Sequence, residues 1–83
     1  MFRSFPKKGG EIVFLRIIIN DLSANDADYY LRELTKTGAH GSISFGDAFH
    51  HRVIITQAGP IEKLLETASM AFHTTSFRVE ISG

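Results

Sequence analysis

Four histidines, His40, His50, His51 and His73, are the only side chains in this 83-residue chain suited to proton transfer near neutral pH. Their spacing argues against a shared centre. His50 and His51 are adjacent in a stretch that reads as a strand, so they point to opposite faces and cannot hold one metal ion together. His40 meets that strand only if the hairpin between them has the right register. No H-x-x-x-H or H-E-x-x-H spacing occurs. His73, near the end of a helical stretch, is most simply a favourable partner of the helix dipole. There is no cysteine and no G-x-S-x-G, so no nucleophile is recognisable. Neither G-x-x-x-x-G-K nor G-x-G-x-x-G is present to cradle a phosphate. The expectation is a protein that is not an enzyme and uses no metal and no cofactor. A small enzyme working through a histidine is kept as a distant alternative.

Acidic residues offer one further candidate. Asp21, Ser23 and Asn25 fall at the first, third and fifth positions of an EF-hand-like loop. The loop then fails, with Asp26 where glycine is needed and Arg32 where the bidentate glutamate belongs. Ser23 followed by Asp26 is better read as a capping box that opens a helix.

Composition narrows the class. Nine basic and nine acidic residues cancel, which removes the long-range attraction of a typical nucleic-acid binder and favours self-association. A 43% hydrophobic content supports a core. The stability margin is thin, since a chain of this size buries only roughly 60–65% of its unfolded surface. No apolar run approaches the ~20 residues needed to span a bilayer, and residues 1–10 hold no apolar stretch of the signal-peptide kind. A cytoplasmic protein without membrane contact is expected. Residues 1–10, with Arg3, Lys7, Lys8, Pro6 and Gly9-Gly10, read as a flexible basic arm ahead of a single domain over residues 11–83.

The element that must organise this domain is Glu11–Asn20, with Ile12, Val13, Phe14, Leu15, Ile17, Ile18 and Ile19 around a single Arg16. Its density of branched and aromatic side chains favours a strand, and apolar residues on both faces place it centrally in a sheet. A helix follows over Ala24–Thr37, with Ala27, Tyr30, Leu31 and Leu34 at helical spacing and Gly38 as its stop. Gly41–Gln57 reads as a hairpin of Ser42–Phe45 and Phe49–Gln57 about Gly46-Asp47. A two-residue loop pairs Phe45 with Ala48; a three-residue loop pairs Phe45 with Phe49. The second is preferred, because it gathers Ile43, Phe45, Phe49, Val53 and Ile55 on one face. Gly59-Pro60 opens a second helix over Pro60–His73, with Ile61, Leu64, Leu65, Ala68 and Phe72 as its buried stripe. Phe77–Ile81 alternates as a last strand, Phe77, Val79 and Ile81 inward and Arg78 and Glu80 outward.

The order β-α-β-β-α-β resembles the ferredoxin-like superfold, an α+β split βαβ arrangement of a four-stranded antiparallel sheet with two helices on one face. That resemblance implies the strand order 4-1-3-2 and no particular function. Acylphosphatases share this architecture, but Asn20-Asp21-Leu22-Ser23 puts acid where their anion site would lie. Val13-Phe14-Leu15 resembles the start of the strand-one motif of the RNA-recognition family, whereas Phe49–Ile55 departs from that family's aromatic strand-three motif.

With the helices on the Val13, Leu15, Ile17 and Ile19 side, the other face carries Phe14, Arg16, Ile18, Arg52, Ile54 and Arg78, together with Ile12 and Glu80. An apolar centre of this kind is seldom left open on a monomer. These six residues are the expected partner-binding set. The leading expectation is a protein-binding module, a homodimer through this face whose arginines meet Glu80 and Glu11 of the mate, and a regulator or inhibitor of a larger protein. Small inhibitors from phages and mobile elements are similar in kind. Coverage by Phe2 and Phe5 of the arm, an acidic partner of another kind, and single-stranded nucleic acid on an RNA-recognition-like architecture are the alternatives.

Overall fold

The computed structural model describes residues 12–74 and 76–83. The arm expected over residues 1–10, with its Phe2 and Phe5, and Glu11 lie outside the described residues. The elements are β1 (Val13–Leu22), α1 (Ala24–Thr35), β2 (His40–Ser44), β3 (His51–Gly59), α2 (Ile61–Ala71) and β4 (Phe77–Ser82). All strand pairs are antiparallel, in the order β2-β3-β1-β4. This is the ferredoxin-like α+β fold with β1 and β3 central.

β1 positions everything else. Its odd-numbered residues Leu15, Ile17 and Ile19 are buried beneath the helices. Val53 and Ile55 of β3 lie beside them, with Leu34, Leu64, Ala68 and Ala71 above. Burying each large aliphatic side chain contributes about 1.5–3 kcal/mol, so this layer carries most of the hydrophobic stabilisation. The register of β1 slips between Ile19 and Leu22, where Asp21 adopts φ 59°. Aspartate tolerates the left-handed region better than most residues. The bulge turns the chain towards Ser23, whose hydroxyl accepts the Asp26 amide at 3.2 Å and caps α1. Helix α1 ends at Thr35 rather than Thr37, and Gly38 takes the positive φ of 95° that its side-chain-free backbone permits.

The β2–β3 hairpin differs from both sequence readings. Ile43 pairs with Val53 and Ser44 with Arg52, so the connection runs from Phe45 to His50 and β3 starts at His51. Compared with the preferred three-residue loop, the register has moved by two residues. An even shift preserves faces, so Ile43, Val53 and Ile55 remain together on the helix side. Phe45 and Phe49, expected beside them, are instead in the loop and exposed. The reason is local. His51 Nδ1 accepts the Gly46 amide at 2.9 Å, His50 donates its amide to the Asp47 carbonyl at 2.9 Å, and the Phe45 ring meets His51 edge-on at 5.5 Å. These contacts close a wider loop than either short turn. His50 therefore lies outside the strand that sequence assigned to it.

Helix α2 also departs from expectation. Pro60 is its cap rather than its first helical residue. Its buried residues are Leu64, Thr67, Ala68 and Ala71, whereas Ile61, Leu65 and Phe72 are 39%, 53% and 60% exposed. The helix carries two overlapping apolar stripes. The one that faces the sheet is lined by Leu64, by the small Ala68 and Ala71, and by a threonine that finds a buried partner, and α2 lies over β1 and β3. β4 is left at the sheet edge, with Phe77 and Ile81 only partly covered.

Candidate functional site

The strand registers assemble the outer face row by row. Phe14 stands between Ala58 of β3 and Ser82 of β4; Arg16 between Thr56 and Glu80; Ile18 between Ile54 and Arg78. On the far side of β3, Ser44 pairs with Arg52 and Ser42 with Ile54. All six expected partner-binding residues, Phe14, Arg16, Ile18, Arg52, Ile54 and Arg78, thus share one face of the sheet, opposite the helices.

The apolar part of this face is divided. Ile12 and Phe14 are 58% and 57% exposed at one end, and Ile18 and Ile54 form a half-buried pair in the middle. Between them runs a charged row, where Arg16 lies 3.9 Å from Glu80, which in turn lies 3.5 Å from Arg78. Glu80 is therefore already engaged by two arginines of its own chain. Arg52 donates through Nε to Asn20 Oδ1 at 2.9 Å. A shallow hollow of about 240 Å³ opens between Arg52 and Arg78, floored by Ile18 and Asn20. A second, of about 350 Å³, lies beside Phe14 and Arg16.

The zero net charge of the chain hides a separation of charge. The outer face holds Arg16, Arg52 and Arg78 against Glu80, three positive less one negative, a net of +2 among the described residues. The two helices, with the C-cap Lys36 of α1, hold Asp26, Asp28, Glu33, Glu62 and Glu66 against Arg32, Lys36 and Lys63, five negative less three positive, a net of −2. Among the described residues the sheet face thus carries more positive than negative side chains, which the neutrality of the sequence does not reveal.

The histidines are dispersed. His40 sits on the edge strand β2 opposite Thr56, His50 is in the loop, and His51 is buried and serves as the loop's hydrogen-bond acceptor. His73 borders a hollow of about 330 Å³ between the helices, with Tyr29, Glu33 and Met70. Among the described residues no group of three or more His, Asp or Glu side chains is placed to hold a metal ion. No helix among them is long and apolar enough to cross a membrane.

Sequence reasoning missed a buried polar cluster among the described residues. Gln57 and Thr67 are both buried, and Thr67 Oγ1 donates to Gln57 Oε1 at 2.6 Å. Gln57 Nε2 donates in turn to the Thr37 carbonyl at 3.1 Å. The cluster joins β3, α2 and the segment after α1, with its Gln57–Thr67 bond buried, and so ties the layers together. Gln57 does fall on the odd-numbered core face of β3, and that was the available signal. No known protein family, curated protein or solved structure matches this chain.

Proposed function

We propose that the protein is a small, non-enzymatic binding module that docks an acidic protein surface on its outer sheet face and thereby regulates or inhibits a larger protein. The observation that carries this reading is the coincidence of exposed Phe14 and Ile12 with a net positive set of arginines on one face. Apolar side chains supply the burial that binding needs, and the arginines select a partner of opposite charge and speed encounter. Arg52 and Arg78, on either side of Ile18, suit a carboxylate that enters the hollow between them.

Two-fold pairing of this face with itself fits less well. It sets +2 against +2, and the single Glu80 of each described face does not balance Arg16, Arg52 and Arg78 of the other. Burying Arg52 against another guanidinium adds to that cost.

The test is partner capture from the source cell with the wild type, Phe14→Glu and Arg52→Glu in parallel. A specific protein partner that is retained by the wild type, lost by both variants and weakened by salt supports the reading. A partner set unchanged by both variants overturns it.

A further inference from the structure

The geometry points to β4 as the pairing edge of a two-fold dimer, in which the β4 strands of two copies join antiparallel and make one continuous eight-stranded sheet. This inference is independent of what docks on the outer face. It starts from the position of β4, which pairs with β1 on one side and with no other strand among the described residues. Asn20 donates its amide to the Ser76 carbonyl at 2.9 Å, so Ser76 faces β1. Backbone groups alternate along a strand. Those of Phe77, Val79 and Ile81 therefore point to the outer edge, a row of donors and acceptors with no strand partner among the described residues.

The strand reads Phe77-Arg78-Val79-Glu80-Ile81-Ser82 and is complementary to itself. A two-fold axis at Val79 places Val79 against Val79, Phe77 against Ile81 and Arg78 against Glu80 of the second copy. The charged pairs fall on the outer face and the apolar pairs on the helix side, as the register with β1 requires. Sliding by two residues in one direction sets Arg78 against Arg78, and in the other Glu80 against Glu80. Like charges directly opposite are destabilising, so the register is specified by charge as well as by face. The opposite edge, His40-Gly-Ser-Ile-Ser44 of β2, has no such pattern.

The helix side supplies a second, independent observation. Phe77 and Ile81 are 38% and 42% exposed, and the ring of Phe72, at the C-cap of α2, lies 5.5 Å from that of Phe77. This apolar flank ends at the open edge. Edge pairing continues it into the same flank of the second copy, so Ile81 and Phe77 each gain an apolar neighbour across the new ladder. The chain's neutrality opposes such association little. In the dimer each Glu80 gains a third arginine, and the two outer faces become one surface with two symmetric docking positions.

The experiment is mass measurement by light scattering and sedimentation over a concentration series. The wild type is expected to approach twice its 9.2 kDa chain mass. Arg78→Glu and Glu80→Arg each place like charges opposite one another and should weaken the dimer by about tenfold or more. The double variant R78E/E80R restores opposite charges in the same register and should recover most of the affinity. An equimolar mixture of the two single variants should form a mixed dimer. Val79→Pro removes an outward amide while leaving the hydrogen bonds to β1, and should give a monomer with a native circular-dichroism spectrum. Phe14→Glu should leave the dimer intact, which separates this inference from the outer-face reading. A wild type that stays monomeric overturns the proposal, whether the edge is then covered by residues 1–11 or by nothing. So does a dimer indifferent to the single variants, or a double variant no better than either single one.

Discussion

Thr67 Oγ1 donates a 2.6 Å hydrogen bond to Gln57 Oε1 in the buried layer between α2 and β3. A hydroxyl has one proton, and Thr37 Oγ1 lies 2.9 Å from the same Thr67 oxygen and 2.7 Å from the Leu34 carbonyl. The Thr67 proton goes to Gln57 at the shorter distance, and the Thr37 proton serves Leu34 or Thr67. Thr67→Val keeps the shape and strands the Gln57 carbonyl oxygen. It is expected to cost about 1–3 kcal/mol by chemical denaturation, the penalty of an unsatisfied buried acceptor. Adding Gln57→Leu should cost less than the sum of the two single changes, because the orphaned oxygen is removed with it. Additive losses would show that the two residues stabilise the fold separately.

The orientation of α2 is tested by two neighbouring leucines. Leu64 is fully buried and Leu65 is 53% exposed. Leu64→Ala is expected to cost about 2–5 kcal/mol through lost transfer energy and the cavity left behind. Leu65→Ala should stay within about 0.5 kcal/mol when measured on the monomer. Thermal melts of the two variants side by side decide this, and equal losses would mean that the helix is rotated from the orientation seen here.

Gly41 marks the close approach of β2 to α1. A Cβ at this position would lie 2.5 Å from Leu31 Cδ1 and 2.6 Å from Ile55 Cδ1. Gly41→Ala should therefore destabilise by about 1–3 kcal/mol through overpacking. Pairing it with Leu31→Ala should recover part of that loss, because the added methyl then has room. Urea midpoints of the single and double variants measure both effects.

Nucleic acid is the other partner class that a positive sheet face brings to mind. Among the described residues Phe14 is the one phenyl ring on that face, with Ala58 and Ser82 at its sides, and the His40 imidazole stands apart from it on the edge strand, opposite Thr56. Two separated rings and a net of two positive charges give little stacking and a shallow dependence on salt. Titration of labelled single-stranded RNA at physiological salt is expected to show only weak, non-specific association. Submicromolar binding that is lost in Phe14→Ala would replace the protein-docking reading with a nucleic-acid one.

The sequence by itself determined the element order, the central place of β1 and the division of residues between the two faces of the sheet. These follow from short-range rules. A period of two on strands sorts Leu15, Ile17 and Ile19 from Phe14, Arg16 and Ile18, Ser23 opens α1 through its side-chain hydroxyl, and Gly38 takes the positive φ just beyond its end. The composition of the candidate surface was legible for the same reason. Three matters were decided only by the tertiary structure. The hairpin loop widened to Phe45–His50 because His51 found the Gly46 amide, a contact that depends on where β3 begins. Helix α2 turned Thr67, rather than Leu65, inward because Gln57 waits across the layer, and two overlapping apolar stripes at helical spacing do not choose between themselves. The excess of positive side chains on the described outer face emerged because the fold gathers Arg16, Arg52 and Arg78 from three strands on one side and leaves the helical acids on the other. Periodicity acts over a few residues and can be read along the chain. Hydrogen-bond partners and charge neighbours far apart in sequence exist only once the layers have met.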